Sequence, residues 1–129
     1  DHIIATLDWH PADHISFADN QQKNPGEIIK INGIDQILWP VHCVQNSYGA
    51  EFIAGLKKET IEKIIYKGVD AGIDSYSGFF DNARQQQTGL EQYLRENTLD
   101  NIFICGLATD YCVKFTALDR SLWDLQPQL

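Results

Sequence analysis

Three short apolar runs limit what this chain can fold into: His2–Leu7 (HIIATL), Glu62–Tyr66 (EKIIY) and Asn101–Cys105 (NIFIC). Each is rich in β-branched or aromatic residues, and each ends abruptly: at Asp8, at Lys67-Gly68 and at the turn leading to Cys112. They read as buried strands. Gly89–Asn97 carries Leu90, Tyr93 and Leu94 on one helical face. Thr109 to about Leu118 reads as a second helix, with Thr109 as N-cap and Asp110 in the first turn. Strands alternating with helices imply βαβ units and a mostly parallel sheet, hence an α/β protein with a three-layer α/β/α arrangement. The strands are apolar throughout, as expected when both faces are covered. In such sheets ligands bind beyond the carboxyl ends of the strands.

Residues 8–46 form a long polar stretch broken by Pro11, Pro25, Gly26, Gly33 and Pro40. It carries His10, His14 and His42 together with Trp9 and Trp39, and is expected to be an ordered, site-forming loop. Ala50–Leu56 reads as a helical turn or two and Ser75–Asn82 as a loop. At 129 residues the chain fits a single domain, 1–129.

The unusual chemical groups follow the strands: Asp8, His10 and His14 after the first, Lys67 after the second, Cys112 after the third. A parallel sheet would bring them to one edge. Cys112 falls near the start of a helix, where backbone N–H groups and the helix dipole favour an anion and can serve as an oxyanion hole. It is a candidate nucleophile, with a small buried hydrophobe as the alternative. Asp8-x-His10 is a candidate metal pair, with His42 as third ligand and His14 as an extra ligand or hydrogen-bonding neighbour. Singly, each histidine has the alternative of an ordinary hydrogen-bonded residue.

Composition removes several classes. The net charge of −8 supplies no basic patch for nucleic acid or an anionic membrane surface. No apolar run approaches the roughly 18 residues of a membrane span, and there is no signal-peptide pattern. Three cysteines without a C-x-x-C pair argue against a disulfide framework and for a reduced setting.

The segments LDWHPADHISF, WPVHC, YKG, DSYSGFFDN and GLATDYCVKFTALD, in that order, resemble nicotinamidases, a branch of the isochorismatase-like cysteine hydrolases. The resemblance runs from His2 to about Asp119. It implies the isochorismatase-like hydrolase fold, with Cys112 as nucleophile and Lys67 as the lysine of the triad. Asp8, His10 and His42 would hold one divalent metal ion, zinc first, with iron or manganese as alternatives and His14 nearby. A cis peptide between Leu107 and Ala108 would aim the Ala108 and Cys112 N–H groups at the oxyanion. Trp39, Tyr76 and Tyr111 would line the substrate pocket. The implied reaction is hydrolysis of nicotinamide, with pyrazinamide as analogue, to nicotinate and ammonia through a thioester. That is a cytoplasmic step of NAD salvage, and a homo-oligomer is compatible with it.

Two departures from the family pattern stand out. The D-x-Q-x-D-F segment that carries the third triad member is absent, so the chain is expected to lack the first strand. After Asp119 the sequence no longer resembles the family, so a C-terminal strand and helix are expected to be missing as well. Nothing in the sequence brings Asp70, Asp74 or Asp110 to the Cys112 thiol. The alternatives are a catalytically dead metal-binding fragment, or an amidase of the same superfamily for another small amide.

Overall fold

The computed structural model describes residues 2–122, in two compact units divided after Asp74. In the first unit, β1 (Ile4–Asp8) pairs in parallel with β4 (Lys63–Lys67). The register runs Ile4–Lys63 through Asp8–Lys67. Partners across a ladder share a face of the pleat, so the last rung sets the Asp8 carboxylate beside the Lys67 ammonium. The observed strands lie one or two residues C-terminal to the expected ones. That shift takes Asp8 and Lys67 into the ladder instead of leaving them beyond it.

The expectation that the strands are covered on both faces does not hold for β4 among the described residues. Ile65 and Lys67 are buried, whereas Ile64 and Tyr66 are open at 37% and 45%. The strand therefore alternates with a period of two, as any half-covered strand does.

The long stretch expected to be a loop contains a hairpin. β2 (Ile28–Ile31) runs antiparallel to β3 (Ile34–Ile37) through Asn32-Gly33. Both turn residues have positive φ, 49° and 83°, which is what a two-residue turn matching the strand twist requires. The Asn-Gly pair between isoleucine-rich runs was the readable signal for it. Beyond the hairpin, the chain at Cys43–Gln45 lies beside His10: His10 N–H donates to Cys43 O at 3.0 Å and Gln45 N–H to His10 O at 2.8 Å. Of Ala50–Leu56, expected as a helical turn or two, only Ala50 is helical, closing a 3-10 turn at Tyr48–Ala50; another 3-10 turn follows at Lys58–Thr60.

The second unit holds α1 (Leu90–Glu96) and α2 (Lys114–Ser121). Gly89 caps α1 at φ 91°, and Leu90 and Leu94 are its buried residues. Ahead of α2, Thr109–Val113 forms a wide π-type turn whose N-cap is Ala108, not the expected Thr109. The reason is local: the Val113 and Tyr111 N–H groups both donate to Ala108 O, at 3.2 and 3.1 Å.

The expected third strand is also corrected. Residues 101–105 pair with no strand among the described residues, and Phe103 is 97% exposed. An apolar run needs a neighbour to become a ladder, and sequence alone does not supply one. None of the three cysteines is in a disulfide, and no described helix is long and apolar enough to cross a membrane.

Candidate active site

The first unit gathers Asp8, His10 and His42 so that one ligand atom from each lies within 4.8 Å of the others. Asp8 comes from the end of β1. His10 sits two residues on, and His42 arrives on the segment hydrogen-bonded to it. The two imidazoles are oriented by carbonyls. His10 Nδ1–H donates to Gly68 O at 2.8 Å, and His42 Nδ1–H to Pro40 O at 2.8 Å. In both rings this leaves Nε2 as the lone-pair nitrogen, the form a metal needs. His42 Nε2 stands 4.0 Å from Asp8 Oδ2. Two ligands each about 2.1 Å from an ion are at most about 4.2 Å apart, so one ion can touch both.

His10 is buried, and desolvation holds its pKa below the usual imidazole value against the opposing pull of the Gly68 hydrogen bond and of Asp8. A ring kept neutral is a ring able to coordinate. His14, also buried, packs tilted against His10 with centroids 4.2 Å apart. Its pKa is lowered to about 4, first by burial and then by His10. Its nitrogens are engaged: Nε2–H donates to Ile73 O at 3.2 Å, and Nδ1 accepts from the Ser16 hydroxyl at 2.7 Å. Of the two roles expected for His14, the hydrogen-bonding neighbour is the one this geometry favours.

Lys67, 4% exposed, pairs with Asp8 Oδ1. A buried ammonium requires such a partner, because unpaired it would carry its full desolvation cost. The Asp8 carboxylate therefore turns one oxygen to the lysine and the other towards the histidines.

Three residues that sequence reading missed shape this site. Phe17, fully buried, has ring contacts to His10, His14 and His42 at 5.6, 5.5 and 5.5 Å. Gly68, at φ 61°, has no room for a side chain: a Cβ there would lie 2.3 Å from His10 Cε1. Asp74 is buried and forms a second close group with His10 and His14. The glycine that follows the strand-ending lysine was the one visible hint among them. Trp39 is half-buried, with its backbone N–H donated to Ser16 O at 2.8 Å.

The remaining expected residues, Cys112, Ala108, Tyr111 and Tyr76, belong to the second unit. The Leu107–Ala108 peptide is cis, as the resemblance implied. Cys112 is half-buried in the wide turn. The Thr116 hydroxyl donates to Cys112 O at 2.6 Å and accepts from Gly78 N–H at 2.9 Å, tying the Ser75–Asn82 loop to the cysteine turn. Tyr76 packs edge-on against Tyr111 at 5.4 Å. An ion pair between Arg84 and Asp119 ties residues beyond the loop to α2.

The first unit thus has Asp8, His10 and His42 grouped at the carboxyl end of a parallel strand pair, and the second has Cys112 in a turn that follows a cis peptide, within an α/β chain. The chain belongs to the isochorismatase domain family, whose model matches residues 30–127. It is 48% identical over 117 residues to a nicotinamidase of Escherichia coli, covering 91% of this chain and 55% of that protein. The structure of an Acinetobacter nicotinamidase-pyrazinamidase superposes with a TM-score of 0.89 at 46% identity, covering 92% of this chain and 58% of that one. A pyrazinamidase of Pyrococcus horikoshii in complex with zinc gives a TM-score of 0.67 at 40% identity, covering 92% and 53%. The chain thus spans a little over half the length of these relatives. The fold is isochorismatase-like α/β, as expected from the motifs.

Proposed function

We propose that this chain carries the metal-binding and cysteine elements of a nicotinamidase, an amidase that hydrolyses nicotinamide to nicotinate and ammonia. The observation that carries this reading is the trio of Asp8, His10 and His42, with both histidines presenting Nε2. It is supported by the likeness to nicotinamidases over more than nine-tenths of the chain.

Asp8 Oδ2 and the Nε2 atoms of His10 and His42 would hold a divalent ion. Zinc comes first, given the zinc complex of the Pyrococcus relative and a nitrogen-and-oxygen donor set that suits it. When bound, the ion supplies a positive charge and an anchor for the pyridine nitrogen of the substrate. Trp39, Tyr76 and Tyr111 would pack against the ring and hold its carboxamide in place for attack. Lys67 would provide fixed positive charge favouring the thiolate of Cys112.

That thiolate attacks the carboxamide carbon, and the backbone N–H groups of Ala108 and Cys112 would receive the developing oxyanion. The C–N bond breaks, the nitrogen takes up a proton and ammonia leaves, giving a nicotinoyl thioester on Cys112. Water then adds to the thioester, the C–S bond breaks, and nicotinate departs with the thiolate restored.

The thioester is the testable point. Acid quenching during turnover, followed by intact mass measurement, is expected to show a nicotinoyl adduct on the chain and none on Cys112→Ala. Turnover by Cys112→Ala at the wild-type rate would refute the assignment of the nucleophile.

A further inference from the structure

The charge balance around the trio calls for one more group. Asp8 is the single carboxylate among the three donors, and its other oxygen is already paired with the Lys67 ammonium. A divalent ion there would bring two positive charges against the buried rings of His10, His14 and Phe17. Charge placed in such surroundings without compensation is costly.

Asp74 is 4% exposed, and a carboxylate oxygen of Asp74 lies within 4.8 Å of a ring nitrogen of both His10 and His14. Its orientation comes from the hairpin: Gln36 of β3, itself buried, donates Nε2–H to Asp74 Oδ2 at 3.0 Å. His10, His14 and Asp74 do not make a second metal site. Both His14 nitrogens are already hydrogen-bonded, and His10 Nδ1–H is given to Gly68.

We propose that Asp74 is the outer counter-charge of the divalent-ion centre, a positioning residue that acts through His10 and His14 without touching the ion and is aimed by Gln36. This rests on the reading of Asp8, His10 and His42 as metal ligands. The hairpin missing from the sequence-based expectation thereby acquires a function.

The test strips the full chain with a chelator, then titrates it with Zn2+ against a chromophoric competitor and separately with Co2+ for its visible absorption. Asp74→Asn keeps the shape and an acceptor for Gln36 but removes the charge. Its Zn2+ affinity is expected to fall about 10–100-fold, with the Co2+ band positions unchanged because the three ligands remain. Affinity within about twofold of wild type overturns the proposal, even if the urea midpoint drops, since that combination is a purely structural role. Shifted Co2+ bands overturn it too, by making Asp74 a ligand.

Should Asp74→Asn fail to fold, Gln36→Met keeps the carboxylate and removes the donor that aims it. Several-fold weaker Zn2+ binding supports the proposal, and unchanged binding overturns it. His42→Ala is measured alongside. If it binds Zn2+ as tightly as wild type, the ligand trio itself is wrong, an outcome distinct from a failure of Asp74 alone.

Discussion

Gly68→Ala is expected to cost the chain most of its metal affinity. Two effects act together. The position has φ 61°, which a residue with a Cβ adopts only at a cost of roughly 1–2 kcal/mol. The added Cβ would also fall 2.3 Å from His10 Cε1 and 2.5 Å from Nδ1. Neither atom is the far end of a flexible side chain; both belong to a buried ring. The ring must move, and moving it breaks the 2.8 Å hydrogen bond to Gly68 O that fixes which nitrogen faces the metal. Losing such a hydrogen bond alone lowers affinity about 10–100-fold, and displacing the ligand adds to that. Calorimetric titration with Zn2+ checks it. Wild-type affinity in Gly68→Ala would mean that His10 is not a ligand.

Phe17→Ala carries the largest expected loss of stability. The ring is fully buried and contacts all three histidines of the site, near-perpendicular to His10 at 87°. Truncating a buried phenylalanine typically costs about 3–5 kcal/mol, against a total of about 5–15 kcal/mol for a domain. The loss is therefore a large share of what holds the unit folded. Urea unfolding of the metal-free protein gives the figure, and Phe17→Leu is expected to fall between the two. A change below about 1 kcal/mol in Phe17→Ala would show that the imidazoles are held without it.

How much of this was legible in the sequence depends on whether the cause is local. β1, β4, α1 and α2 follow from short-range pattern and come out within a few residues. Asp8, His10 and His42 were singled out from ligand chemistry and motif, and the fold brings their ligand atoms to within 4.8 Å. The hairpin was legible in Asn32-Gly33 but was overlooked inside a stretch rich in turn formers.

The run at residues 101–105, unpaired among the described residues, failed for the opposite reason: its local pattern is that of a strand, and pairing is not a local property. Gly68 and Asp74 were out of reach on similar grounds. Gly68 is 58 residues from the ring it accommodates, and Asp74 is 38 from the glutamine that aims it. Such partners meet only once the parallel register of β1 and β4 is set.

The central claim is that these residues belong to a metal-assisted amidase for nicotinamide. Its most direct test is ammonia release from nicotinamide by the purified 129-residue chain, with metal content determined on the same sample. The account predicts ammonia together with about one divalent ion per chain. A chain that binds no divalent ion and releases no ammonia would contradict it, whereas an ion without ammonia is the result of the alternative, a metal-binding fragment that lacks the third triad member.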